Sequence, residues 1–173
     1  MKDYIAQSIK QANRGKTDNK FPLLGTSGMA GIGKTTMLLY GLHQLVATGA
    51  KGVYLSFNGN GTANSNVFAG SKARSADRLS LDCFGDVLMA VLGIQDDLYR
   101  VLKFQQSLTL FRTALGMTEG QPLVLFIDEV GHLKEPDGLL KELMSEVDSR
   151  DGKLVFVFAH ISQQYLNKCA TGS

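Results

Sequence analysis

One short glycine-rich segment holds the residues of this chain that are most suited to chemistry. Its sequence, Gly28-Met29-Ala30-Gly31-Ile32-Gly33-Lys34-Thr35, matches the pattern GxxxxGK[ST]. A chain of this length matches that pattern by chance with a probability on the order of one in a hundred. Gly28 and Gly33 allow backbone angles and a close approach that a Cβ atom would prevent, and Gly31 keeps the loop slim. The backbone N–H groups of such a loop can surround a phosphate group, so the segment predicts a nucleoside triphosphate site.

The residues at the end of this segment supply charge and a metal ligand. A helix that begins here adds a favourable dipole at the phosphates. Lys34 provides a cation for the β- and γ-phosphates, and Thr35 offers a hydroxyl to Mg2+. Thr36 follows as a candidate contact for the α-phosphate. We expect ATP and Mg2+ as ligands; because the loop contacts phosphates rather than the base, GTP stays open.

A pair of acids follows a continuous apolar run and completes the predicted site. Leu123–Ile127 reads as a strand buried on both faces, and Asp128 and Glu129 follow it directly. This is the Walker B pattern, in which Asp128 holds Mg2+ through water at the carboxyl end of a parallel strand. Glu129 is the predicted general base that orients the attacking water, an effect of ~10²–10⁴ in rate. Without the upstream loop, such an acid is as readily a helix cap or a solvated strand end.

Other classes of nucleotide site fit the sequence less well. A GTPase would show Asp-x-x-Gly, which Asp128 and Gly131 do complete, together with Asn-Lys-x-Asp. Asn167 and Lys168 are followed by Ala170 where that second motif needs an aspartate. A kinase acting on small molecules needs no glutamate after the magnesium acid. The pattern therefore favours ATP hydrolysis.

Further polar residues are weaker candidates. His160 follows the last predicted strand and is favoured over Ser162 as a sensor of the γ-phosphate; the alternative is a polar residue facing solvent. His132 is interpreted as a loop or helix-cap residue. No arginine is singled out as an arginine finger among Arg74, Arg78, Arg100, Arg112 and Arg150.

Apolar periodicity predicts the elements that position these residues. Strands are predicted at 21–25, 53–57, 123–127 and 154–159, and helices at 35–48, near 74–92, near 96–116 and near 138–148. Residues 1–20 are interpreted as a short helix and loop, 59–70 as a loop, and 58–121 as a loop and helical insert. This alternation predicts a single α/β domain over residues 1–173, with helices on both faces of a mainly parallel sheet in three layers.

Composition limits the partners and the compartment. A net charge of +2 gives no support for nucleic-acid binding. The sequence shows no signal peptide and no run of the ~20 apolar residues that span a bilayer. Cys83 and Cys169 are interpreted as free thiols, most simply buried structural cysteines. We expect a soluble, intracellular protein without membrane partners, in the nucleus or the cytoplasm.

The order of these motifs resembles the additional-strand catalytic-glutamate division of P-loop NTPases, which includes AAA and STAND proteins. More narrowly, the runs 24–28, 31–36 and 53–58 look like the NTPase domain of Crinkler effectors and retrotransposon hot spot proteins. That resemblance implies an ATPase module joined to other domains in larger, often nuclear proteins. The division has five core strands ordered 5-1-4-3-2, and four are predicted here. We therefore expect strand 21–25 at a sheet edge. An exposed edge is unfavourable, so either the chain is a fragment lacking the last core strand, which we favour, or something else covers that edge.

Three functions remain open on the sequence alone. The first is a Mg-dependent ATPase that couples hydrolysis to a conformational change. The second is a nucleotide-dependent switch or scaffold with little turnover, and the third is a small-molecule phosphotransferase. A protein partner or self-association also stays open. Turnover, and its dependence on Glu129, distinguishes the three functions.

Overall fold

A computed structural model describes residues 24–29, 31–57, 80–94, 101–129, 142–143, 145–146 and 154–160. The strands are β1 (Leu24–Ser27), β2 (Lys51–Ser56), β3 (Leu123–Asp128) and β4 (Leu154–His160). The helices are α1 (Lys34–Val46), α2 (Ser80–Val91) and α3 (Phe104–Ala114). The predicted helix near 138–148 is helical at residues 142–143 and 145–146, and its remaining residues lie outside these ranges.

The four strands form one sheet in the order β1-β4-β3-β2, and every pairing is parallel. Ser27 is level with His160, and Ser56 is level with Asp128. The carboxyl ends of all four strands consequently meet along one edge, where parallel sheets bind their ligands. The α/β prediction with a parallel sheet is confirmed, and β1 lies at an edge of the sheet that the described residues form.

Strand β3 shows why helices cover both faces of this sheet. All six of its residues are buried. Leu123, Leu125 and Ile127 pack into a core with α2 and α3, while Val124 and Phe126 pack into a second core with α1. Because side chains alternate along a strand, an apolar run of this kind needs cover on each side. The result is a sheet between two helical layers.

Helix α1 begins within the glycine-rich segment and packs closely on the sheet. Gly33 caps it in a left-handed conformation, and the Met37 N–H donates to the Gly33 carbonyl at 2.9 Å. Its buried residues form one stripe at helical spacing, namely Lys34, Leu38, Gly41 and Leu45. This stripe directs Lys34 toward the carboxyl edge of the sheet.

Several predicted boundaries differ from the structure. Strand β1 continues to Ser27 because Thr26 and Ser27 pair with β4; residues 21–23 lie outside the described part. Strand β2 begins at Lys51 because it pairs with Leu123. Helix α1 ends at Val46 rather than at 48. Residues 1–20, 58–79 and 95–100 lie outside the described ranges, and with them the predicted N-terminal helix and the predicted loop at 59–70.

Helix α3 begins at Phe104, well after the predicted start near 96. The Asp82 carboxylate of α2 accepts a hydrogen bond from the Phe104 N–H at 2.8 Å, and it forms an ion pair with the Lys103 ammonium at 3.0 Å. The Lys103 N–H in turn donates to the Gln106 side chain at 2.9 Å. These contacts satisfy N–H groups in the first turn and fix where the helix starts.

Within the described part of the chain, no helix combines the length and the apolar character needed to cross a bilayer.

Candidate functional site

The segment between β1 and α1 is a loop whose glycines adopt conformations that other residues avoid. Gly28, Gly31 and Gly33 have φ values of 147°, 82° and 87°. A Cβ on Gly28 would also collide with Cδ1 of Ile32, whereas nothing lies within 4 Å of a Cβ built on Gly33. Among the protein atoms, the φ angle of Gly33 is what calls for glycine, and the expected close approach of Gly33 to a phosphate stays a prediction.

Lys34 is a buried cation at the first position of α1. It is 7% exposed, and its Nζ donates to the carbonyl oxygens of Gly28 at 3.0 Å and Met29 at 2.9 Å. Both acceptors are neutral, and no carboxylate pairs with Lys34 among the described residues. An ammonium group with three donors that is removed from water is stabilised by an anion. The helix N-terminus beside it adds N–H groups that also favour negative charge.

Asp128 lies opposite, at the carboxyl end of β3, and is 0% exposed. Its Oδ2 accepts hydrogen bonds from the Thr35 hydroxyl at 2.6 Å and from the Tyr54 hydroxyl at 2.8 Å. Its Oδ1 accepts the Glu129 N–H at 3.0 Å. The structure thus brings together Lys34, Thr35 and Asp128, which the sequence placed in one site.

Tyr54 is a site residue that the sequence did not identify. The register that sets Ser56 level with Asp128 places Tyr54 on the α1 side of β2, within reach of the carboxylate. Burial raises the pKa of Tyr54 to about 12, helped by the hydrogen bond to Asp128 and by the negative charges of Asp128 and Glu129; the Ser56 hydroxyl opposes this in part. The phenol therefore keeps its proton at neutral pH. A tyrosine inside a buried strand, whose hydroxyl requires a partner, was the available signal.

Ser56 adds a buried hydroxyl to the same edge. It is 2% exposed, and its Oγ makes no hydrogen bond of good geometry with the described residues. The same hydroxyl lies close enough to the Tyr54 phenol to oppose the rise in its pKa, so its contact there is poorly aligned rather than absent.

Glu129 adopts a strained conformation directly after β3. Its φ of 56° is the only positive value among the non-glycine residues that the structure describes. A left-handed conformation costs such a residue about 1–2 kcal/mol. Strain of this kind is concentrated at functional sites, where the surrounding structure holds it in place. The side chain is partly exposed, so a bound molecule could reach it.

The other predicted residues are placed less completely. The backbone of His160 ends β4 level with Ser27, at the same edge as the loop. Met29, Ile32 and Thr36 are exposed. Ala30, His132 and Ser162 lie outside the described residues, as do Arg74, Arg78, Arg100 and Arg150. Arg112 donates to the carbonyl oxygens of Thr118, Glu119 and Gln121, which gives it a structural role after α3.

The donor set fits one manner of binding a metal. The described part of the chain holds no group of three or more His, Cys, Asp or Glu residues that could bind an ion by themselves. Mg2+ commonly binds through one or two carboxylates together with substrate phosphates, and it retains several waters. Thr35 and Asp128, 2.6 Å apart at their oxygens, suit that arrangement.

Comparison of the sequence with known proteins identifies no relative. No protein-family model matches the chain, and no curated protein sequence matches it significantly. Its function is therefore inferred from its own residues.

Proposed function

We propose that this chain binds a nucleoside triphosphate with Mg2+, ATP in preference, and hydrolyses it. The observation that carries the proposal is the buried Lys34 ammonium, which is 7% exposed and bonded only to neutral carbonyls among the described residues. A triphosphate beside it would supply the missing negative charge. The three positive-φ glycines and the start of α1 adjoin this cation in the chain, and backbone N–H groups in such a loop and at a helix N-terminus favour a phosphate.

The opposite side of the site suits the metal. In this proposal Thr35 would hold Mg2+ through its hydroxyl oxygen, and Asp128 would hold it through a water. When bound, Mg2+ neutralises charge on the β- and γ-phosphates and lowers the barrier to phosphoryl transfer. Thr35 can contact the metal and still donate its hydroxyl hydrogen bond to Asp128 Oδ2, because the hydroxyl oxygen has lone pairs that this bond does not use. Lys34 exchanges its carbonyl partners for phosphate oxygens.

Glu129 supplies the chemical step in this proposal. The Glu129 carboxylate orients a water and accepts its proton as the water oxygen bonds to the γ-phosphorus, and the bond from that phosphorus to the β,γ-bridging oxygen breaks, releasing ADP and inorganic phosphate. Its strained backbone, and the hydrogen bond from its own N–H to Asp128, fix it relative to the metal side of the site. The backbone of His160 lies at the same edge, which supports its candidacy as a γ-phosphate sensor.

The strand order supports assignment to a division of P-loop NTPases. The order β1-β4-β3-β2 agrees with 5-1-4-3-2 after strand 5 is removed. We therefore favour the additional-strand catalytic-glutamate division; the Crinkler and retrotransposon hot spot NTPases stay a candidate within it on the sequence runs 24–28, 31–36 and 53–58. Under this assignment the edge beside β1 is where a fifth core strand would add.

The deciding experiment measures phosphate release from ATP with Mg2+. We expect turnover by the wild-type chain and a loss of ~10²–10⁴ in Glu129→Gln, because the base is removed while the shape is kept. Fluorescent ATP binding should persist in that variant. Binding without turnover in the wild type would favour the nucleotide-dependent switch. Absence of both ATP and GTP binding would refute the proposal.

A further inference from the structure

Two hydroxyls share a single oxygen of Asp128. Thr35 donates to Oδ2 at 2.6 Å and Tyr54 donates to the same atom at 2.8 Å, while Oδ1 accepts only the Glu129 N–H at 3.0 Å among the described residues. A carboxylate offers about four acceptor positions, two on each oxygen. Oδ2 is therefore saturated, and the remaining position is on Oδ1.

Tyr54 differs from Thr35 in how it can act. Thr35 belongs to α1 and follows the glycine loop, so it is placed to contact a metal itself. The Tyr54 hydroxyl reaches Asp128 from the neighbouring strand, where the register between β2 and β3 fixes the distance between them. Tyr54 therefore acts on the proposed nucleotide and Mg2+ indirectly, through the Asp128 carboxylate.

We propose that Tyr54 is a positioning residue that sets the affinity of this site for Mg2+. This inference rests on the proposed function. By holding Oδ2, the phenol fixes the orientation of the Asp128 carboxylate and leaves Oδ1 to receive a metal-bound water. Hydrogen-bond partners of metal-binding carboxylates commonly change metal affinity by 10–100-fold when they are removed. Because Asp128 acts through water here, we expect the lower end of that range.

The test compares Tyr54→Phe with the wild-type chain. Phenylalanine keeps the ring that packs against the α1 core and removes only the hydroxyl. Binding of a fluorescent N-methylanthraniloyl-ATP is measured in EDTA and then across a MgCl2 titration. We expect the Mg2+ concentration at half-maximal effect to rise ~10-fold, with affinity in EDTA unchanged within about twofold. Tyr40→Phe is the matched control, since Tyr40 is 64% exposed on α1.

The results separate this role from a purely structural one. A structural role would weaken binding equally in EDTA and in Mg2+, and that result would overturn the inference, as would an unchanged titration. In an Asp128→Asn background, Tyr54→Phe should add nothing further, because it acts through that carboxylate. An additive effect would contradict the mechanism.

The same measurements separate the inference from the proposed function. If the wild-type chain binds the nucleotide and Tyr54→Phe behaves like it, only the role of Tyr54 fails. If the wild-type chain does not bind, both fail. Should Tyr54→Phe not fold, 3-fluorotyrosine placed at position 54 gives a 19F resonance. That resonance should shift when MgCl2 is added to the nucleotide complex, and a constant shift would overturn the inference.

Discussion

Replacing Lys34 by methionine tests the central feature of the proposed site. The substitution removes the ammonium and keeps an unbranched chain of similar length. In the folded protein the ammonium already donates to two neutral carbonyl oxygens, at 3.0 and 2.9 Å. Binding of a triphosphate would exchange these acceptors for charged phosphate oxygens. The loss in affinity is therefore the difference between the two kinds of hydrogen bond, not the whole energy of either.

That difference can be given a magnitude. Charge-assisted hydrogen bonds are about twice as strong as neutral ones, and the gain is about 1–1.5 kcal/mol for each bond exchanged. Two or three such bonds amount to about 3 kcal/mol, which corresponds to a ~100-fold higher Kd for MgATP. Stability should change by less than about 1 kcal/mol, because the lost hydrogen bonds are offset by removing a buried cation that pairs with no carboxylate among the described residues.

The assay is a fluorescence titration of Mg-bound nucleotide, with urea unfolding measured in parallel. Lys51→Met is the matched control, because Lys51 is exposed at the start of β2 and the change in net charge is the same. A Kd for Lys34→Met within about threefold of wild type, in a folded protein, would refute the reasoning. An equal loss in the control would show that net charge, not Lys34, attracts the nucleotide.

Three further predictions follow from residues at the same edge. Asp128→Asn should make nucleotide binding less dependent on Mg2+, and an unchanged titration would remove Asp128 from the metal site. Glu129→Gly should raise the free energy of unfolding by about 0.5–1 kcal/mol, because glycine relieves the strain of the φ of 56° at a smaller cost in backbone freedom. Hydrolysis should fall in the same variant. Lower stability in urea would contradict the strain at Glu129. The pKa of Tyr54 is raised from 10.0 to about 12, so the phenol is protonated in both the folded and the unfolded state below pH 10. Stability should fall as the pH rises from 10 toward 12, because in that range only the unfolded state releases the phenol proton. This loss should be smaller in Tyr54→Phe when unfolding is followed across that range, and identical pH profiles would argue against it.

Much of the fold is determined by patterns that are visible in the sequence. The apolar runs of β3 and β4 have no polar alternation, so each requires cover on both faces, and both strands were predicted to within one residue. The start of α3 was not predicted, since Leu98, Val101 and Leu102 continue its apolar spacing. The helix instead begins where Asp82 accepts the Phe104 N–H, a contact between residues distant in the sequence.

The site was predictable where its chemistry depends on adjacent residues. Gly28 to Thr35 form one local motif, and Asp128 follows a recognisable strand. Tyr54 was missed because its hydrogen bond depends on the register between two strands, and composition does not specify register. The left-handed backbone of Glu129 was missed for a related reason: local preference favours other conformations, and the surrounding structure imposes this one.

The position of β1 in the sheet has a consequence for biosynthesis. Its pairing partner among the described residues is β4, and Leu24 is level with Val157, roughly 130 residues later in the chain. At about 5–20 residues per second, a ribosome would take roughly 7–27 s to add that length. During this interval the strand that leads into the glycine loop lacks β4, its pairing partner among the described residues. The nascent chain would therefore form the β2–β3 pair before β1 pairs with β4. Chaperones would have time to bind β1 and the glycine loop before β4 is synthesised.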